Sequence, residues 1–389
     1  MKHRSLKKRL LALATTVLTL VMCMAGTMSA SAANVSVTGG EFTFTKYLVM
    51  DAEANVPNVT FEFTIAAGDA KVADGTNPAI YEGIEPTAVQ IDDAVFSPTT
   101  AEGNVTDTTP GKPGNAAATG YKYATQEVTV DFGDITFPGP GIYRYTVTET
   151  EGTASGIIYD TTELIMDVYV QYTDDSATDL EVAYCVLHTS VDENPDTVTD
   201  KSDGFTNEYT TYDLTLEKQV TGNQGDRDKY FTFTVEITGA VAGTVYTVDR
   251  TNADANPTVD GEAKTNLATL TATDGTVTAT YYLKDDQSIV IQGLTSDTKY
   301  TITETSCADD GYTTSYVLTK TGSEPITGNS ISTNEQTIGD ANNAVTFTNA
   351  KNGTVPTGVL LETAPYIILG VVVIAGFVVL FATRRRRSR

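Results

Sequence analysis

Six polar residues in this chain fall where alternating strands should bury only apolar side chains. In FTFTKYLVM, residues 42–50, Phe42, Phe44, Leu48 and Met50 share one face of an extended strand, and Lys46 sits among them. In YDLTLEKQV the face of Leu214, Leu216 and Val220 carries Lys218. Glu149 shares its face with Tyr143, Tyr145 and Val147 in YRYTVTE, and Glu304 shares its face with Tyr300 and Ile302 in KYTITE. Asn207 stands between Phe205 and Tyr209 in GFTNEY, and Asn349 follows Val345 and Phe347 in VTFTNA. One Lys, one Glu and one Asn therefore point into a core twice, in the same order.

A buried, unpaired ammonium is among the costliest groups a core can hold. Snorkelling from a strand end accounts for any one of these lysines. A buried ion pair accommodates Lys and Glu but leaves the Asn unexplained. A reaction uses all three. Desolvation lowers the amine pKa and yields a neutral nucleophile, while a buried carboxyl with a raised pKa polarises the carboxamide and shuttles protons. Packing then supplies the proximity that a slow amide exchange needs. Loss of ammonia leaves a Lys–Asn isopeptide bond and removes the buried charges. The pairs so predicted are Lys46–Asn207 with Glu149, and Lys218–Asn349 with Glu304. Glu151 has the same parity as Glu149 and is its rival; the match between YTVTE and YTITE favours Glu149.

The elements that must position these residues repeat along the chain. FTFTKYL followed by VTFEFTI answers LTLEKQVTG followed by YFTFTVEI; GIYRYTVTET answers TKYTITET; GFTNEY answers VTFTNA. Each unit reads as a lysine strand, an aromatic strand, a glutamate strand and a closing asparagine strand. Short alternating segments parted by Gly, Asp, Asn and Pro predict an all-β fold of two tandem immunoglobulin-like β-sandwich domains, residues 34–209 and 210–352, arranged nearly end to end. An insertion in the first domain, residues 97–120, has the composition of an exposed loop.

Residues 1–33 have a basic start, an apolar run and a small-residue end, the build of a secretory signal peptide. Met22 before Cys23 fits a lipoprotein signal poorly. At the other end, residues 353–389 hold VPTG (Val355, Pro356, Thr357, Gly358), an apolar span at 365–382 and the basic tail RRRRSR, which the positive-inside rule keeps cytoplasmic. Between these ends the chain holds 15 basic and 49 acidic residues, a net charge of about −34. That field excludes nucleic acid as a partner and favours solubility. Two cysteines, Cys185 and Cys307, lie in different repeats and make no disulfide framework, Cys185 reading as a small buried hydrophobe. One histidine outside the signal peptide leaves no zinc or His-based catalytic cluster, and no cofactor or metal site is assigned; no EF-hand-like loop is present, and so acidic a chain leaves Ca²⁺ open.

The VPTG tetrapeptide, span and basic tail resemble the cell-wall sorting signal of Gram-positive surface proteins, in the shortened form used by some pilin subunits. The whole chain resembles the major pilins of Gram-positive bacteria with tandem isopeptide-linkage domains, through LTLEKQVTG…YFTFTV, YTITET and VTFTN in combination. The resemblance implies CnaB-like sandwiches and a shaft subunit whose Thr357 carbonyl a sortase joins to a lysine of the next copy. It further implies minor pilins and a host-surface receptor as partners, and a membrane stage only before sorting to the cell wall. The Tyr-Pro-Lys-Asn acceptor motif of longer members is absent. Among 12 lysines outside the signal peptide, Lys201 in VTDKSDGFTNEY is the favoured acceptor, since force entering there bypasses nearly all of the first domain. The matching region of two-domain members also carries it. Lys71, Lys112 and Lys122 are the alternatives. The chemistry implied is single-turnover self-crosslinking, not enzymatic. The other reading of the same domains is a wall-anchored adhesin or minor pilin that is not polymerised.

Overall fold

The computed structural model describes residues 40–74, 77–105, 120–174, 179–189 and 200–353. The signal segment, the VPTG motif, the apolar run at 365–382 and Lys112 lie outside these residues. Among the described residues no helix is long and apolar enough to cross a membrane. Their one helical element is a single 3-10 turn, Ala308–Asp310.

Strands carry the rest, in two hydrophobic clusters, one drawn from Phe42 to Tyr209 and the other from Leu214 to Phe347. In the first cluster the lysine strand Glu41–Asp51 runs antiparallel to Tyr121–Asp131 and parallel to the asparagine strand Gly204–Tyr209. The facing sheet places the glutamate strand Gly141–Glu149 between Phe63–Ala67 and Glu163–Tyr172, with Leu180–His188 outside the latter. The second cluster repeats the plan. Tyr212–Thr221 lies parallel to Asn343–Ala350 in one sheet, and Lys299–Glu304 lies antiparallel to Phe231–Thr238 in the other. Only Thr210 and Thr211 separate the last strand of the first unit from the first strand of the second. Asn55 and Asn58 bridge the junction, Asn55 Nδ2 donating to Val245 O at 2.9 Å and Asn58 Nδ2 to Ala242 O at 3.0 Å.

Burial follows strand parity. Along Tyr212–Thr221, Leu214, Leu216, Lys218 and Val220 are buried and their neighbours are partly exposed. The parallel pairing of first and last strands is tight at Gly204, whose φ is +146° and where a Cβ would lie 1.8 Å from Thr45 O. Glycine is therefore required at the start of the asparagine strand. The insertion at 97–120 is not all loop: Glu102–Asn104 pairs with Tyr121–Asp131 and extends its sheet. Residues 106–119 lie outside the described residues.

The sequence reading missed a second buried polar group. Arg144 Nε and Nη2 each donate to Asp167 at 2.7 Å, and His188 Nε2 lies 2.9 Å from Asp167 Oδ2. All three residues are buried, on the side of the glutamate strand away from Glu149. Arg144 and Asp167 are direct cross-strand partners, so the bidentate pair follows from the register and not from spacing along the chain.

Candidate crosslinking sites

In each unit the lysine and the asparagine project from neighbouring parallel strands of one sheet, two residues out of register. Lys46 pairs with Phe205 and Leu48 with Asn207; Lys218 pairs with Phe347 and Val220 with Asn349. The glutamate comes from the opposite sheet, beside an aromatic residue on the neighbouring strand: Phe63 pairs with Glu149, and Phe233 with Glu304. All six side chains are buried. Glu151, the rival of Glu149, is exposed.

In the first site one carboxylate joins both partners. Lys46 Nζ contacts Glu149 Oε2, and Asn207 Nδ2 donates to Glu149 Oε1. The amine lies 4.7 Å from the centre of the Phe61 ring. The Asn207 carbonyl oxygen accepts the backbone N–H of Asp160 at 2.7 Å, and Asp160 Oδ2 in turn accepts the N–H of Thr206 at 3.0 Å. Asp160 was invisible to parity, because it stands in a turn ahead of the strand Glu163–Tyr172. Its bond from Thr162 N to Oδ1, 2.9 Å, is the Asx turn that an Asp-Thr-Thr run signals, but that signal does not say what the turn faces.

In the second site Glu304 Oε1 takes both contacts, Lys218 Nζ at 3.2 Å and Asn349 Nδ2 at 2.9 Å. Lys218 also reaches Phe347 O at 3.4 Å and lies 4.3 Å from the Phe231 ring centre. Asn349 Nδ2 is 3.0 Å from Cys307 Sγ.

The electrostatics are the same twice. Burial pulls Lys46 and Lys218 from 10.5 down to about 8, against the opposing pull of the adjacent glutamate. Burial raises Glu149 and Glu304 above the usual carboxylate range, again against the adjacent ammonium. Each pair is thus brought toward a neutral amine beside a neutral acid, the protonation state that aminolysis of a carboxamide needs. The second-site pair predicts a pH signature for Asn349→Ala, which cannot react. A glutamate raised in the fold contributes stability that is complete below its unfolded value and is lost as pH rises through its folded value. A lysine lowered in the fold contributes stability that is complete above 10.5 and is lost as pH falls through about 8. Relative to the parent chain, denaturant midpoints of Asn349→Ala should therefore be lowest near neutral pH and rise on both sides. A difference flat between pH 5 and 10 would contradict the burial of the pair.

Of the lysines named as candidate acceptors, Lys201 is half-buried and its backbone bridges His188 across a short antiparallel contact. Ser202 N donates to Leu187 O at 2.9 Å in the same contact. Burial lowers the Lys201 pKa. Lys122 is held by Glu102 at 2.9 Å, and Lys71 bridges Ile80. Cys185 and Cys307 are free and buried, and among the described residues no group of His, Cys, Asp and Glu could hold a metal ion.

Comparison with known proteins bears on the fold and the family. Residues 42–210 match the family model described as a Spy0128-like isopeptide containing domain, and residues 212–351 match a domain of unknown function, DUF7601. A pilin of Streptococcus pyogenes serotype M1 is 30% identical over 346 residues, covering 87% of this chain and 89% of that protein. The pilus tip adhesin Cpa of Streptococcus pyogenes is 34% identical over 99 residues, only 12% of its length. The crystal structure of the major pilin from Streptococcus pyogenes superposes with a TM-score of 0.54 at 23% identity, over 82% of this chain and 100% of that one. The T3.2 major pilin of the same species gives 0.56 at 21% identity, over 80% and 98%. These two structures establish a shared two-domain fold. The serotype M1 pilin, 30% identical and matched over 89% of its length, shows that the chain belongs to the pilin family and is a structural subunit of a pilus.

Proposed function

We propose that the chain is the shaft subunit of a covalently polymerised surface pilus, each of its two domains (residues 34–209 and 210–352) being closed by its own Lys–Asn isopeptide bond. The observation that carries this reading is the twofold Lys–Glu–Asn constellation, buried in both cores and facing from the same strands. Neutral Lys46 or Lys218 attacks the carboxamide carbon of Asn207 or Asn349. Glu149 or Glu304 moves the protons, and ammonia leaves as the new C–N bond is completed.

Residues 1–33 act as the secretion signal in this reading, and residues 353–389 as the sorting signal at the Gram-positive cell wall. A sortase cleaves between Thr357 and Gly358 and passes the Thr carbonyl to Lys201 of another copy. The half-burial of Lys201 supports the choice, because a partly desolvated amine is more readily neutral and nucleophilic. The likeness to a tip adhesin fits minor pilins as further partners.

In a host expressing the sortase, Lys201→Ala should abolish the ladder of high-mass polymer seen on denaturing gels and leave monomer. A ladder unchanged by Lys201→Ala would remove that residue from the assignment. A parent chain that gives a single wall-linked species instead of a ladder would make this a minor pilin or adhesin.

A further inference from the structure

The two sites differ at the carbonyl that must accept negative charge. In the first, Asn207 Oδ1 already receives the N–H of Asp160 at 2.7 Å. In the second, Asn349 Oδ1 is buried with no hydrogen-bond partner, and so is Glu304 Oε2. What the second site has instead is a thiol: Cys307 Sγ lies 3.0 Å from Asn349 Nδ2 and 3.9 Å from Thr314 Oγ1. Cys307 follows Glu304 by three residues, and its carbonyl is fixed by the N–H groups of Asp310 and Tyr312 at 3.1 and 3.3 Å. Three residues after Glu149 the first domain has Gly152, which offers no side chain.

We propose that Cys307 is a further catalytic residue of the second crosslink, its S–H donating to the Asn349 carbonyl oxygen as the tetrahedral intermediate forms. This rests on the crosslinking reading above. The orientation with Nδ2 toward Glu304 suits an ionised carboxylate. Once the Lys218 proton passes to Glu304, the carboxyl becomes a donor and the carboxamide must present oxygen to it. A half-turn of the amide group exchanges its two ends in nearly the same space. It sets Oδ1 where Nδ2 now lies, against both Glu304 Oε1 and Cys307 Sγ.

Lys218 Nζ then bonds to the Asn349 side-chain carbon while the carbonyl oxygen takes the Glu304 proton and the S–H hydrogen bond. Glu304 carries the proton of the attacking amine to the leaving nitrogen; collapse of the intermediate then breaks the original C–N bond, releases ammonia and returns the oxygen's proton to Glu304. The thiol gives up no proton and forms no covalent bond. Burial raises the Cys307 pKa, which keeps the S–H intact and argues against a thioester route through a thiolate.

The test follows closure in both domains of one chain. Residues 34–357 are made by cell-free synthesis and quenched in denaturing acid at intervals, and the two crosslinked peptides are quantified by mass spectrometry after digestion. A thiol is a weak donor, below the roughly 100-fold effect of a strong oxyanion donor, so Cys307→Ala should slow closure of the second domain about tenfold. Cys307→Ser should restore most of the rate, and the first domain should close at the parent rate in every variant, an internal standard for synthesis and quenching; the far-ultraviolet circular dichroism of each variant, matched to the parent, reports that the second domain has folded. Parent-rate closure in Cys307→Ala would overturn the proposal while leaving the crosslink standing. Equal slowing by Ser and Ala would make the thiol a packing element and overturn its role as donor. Absence of the second crosslink from the parent chain would overturn the crosslinking reading itself.

Discussion

Glu304→Ala should lose the second crosslink and drop the second melting transition by 10 °C or more, to order of magnitude, leaving the first where it was. Two effects act together. Without the carboxyl no group moves protons between Lys218 and Asn349, so the bond does not close. A crosslink over a loop of about 100 residues or more stabilises by about 5 kcal/mol in the loop-entropy account. Lys218 is also left fully buried against Phe231 with its counter-charge removed, a situation that costs about 3–5 kcal/mol. Domains of this size shift by about 2–4 °C per kcal/mol and hold only about 5–15 kcal/mol in all, so either effect alone is large. Glu149→Ala should do the same to the first transition. The two separate cores should melt as two calorimetric transitions; a variant whose transitions match those of the parent would mean that the carboxyl carries neither role.

The second large effect is mechanical. The lysine and asparagine strands of each domain lie side by side and parallel, and the bond would join the first strand to the last. Tension entering at Lys201 or at the N-terminal end would pass through Asn207, along a few residues to Lys218, and across to Asn349. The chain between each Lys and Asn would bear no load, apart from residues 201–207 when tension enters at Lys201. Pulled by its ends, the parent chain should show no unfolding step from either sandwich. Glu149→Ala should unfold its first domain and release roughly 500 Å of chain, the reach of about 160 residues at 3.3–3.6 Å each less the folded span. Steps of that length in the parent would contradict a load path through the crosslinks.

The sites were legible because strand parity is a strong rule and the chain states it twice. Lys46, Glu149 and Asn207 each share a face with aromatic or aliphatic residues, and the second repeat gives the same three types in the same order. Parity also explains why Glu149, at the end of an alternating run, could be separated from exposed Glu151 only by comparing the repeats. The two-sheet partition was not legible. That the first and last strands are parallel neighbours, with Glu delivered from the facing sheet, is a matter of pairing between segments more than a hundred residues apart. Contacts made by turns escaped for the same reason. Asp160 and Cys307 stand outside the alternating runs, and nothing in their local sequence says which core group they meet. The Arg144–Asp167–His188 group was hidden because a strand covered on both faces places a polar residue in a second interior.

The central claim is that both Lys–Glu–Asn groups react, and the most direct measurement is the intact mass of residues 34–352 beside that of Glu149→Ala and Glu304→Ala. The account predicts a parent chain lighter than its sequence by two ammonia molecules, and each variant lighter than its own sequence by one. A parent mass equal to the sequence mass would contradict it, leaving Lys46 and Lys218 as buried ion pairs within an uncrosslinked pilin.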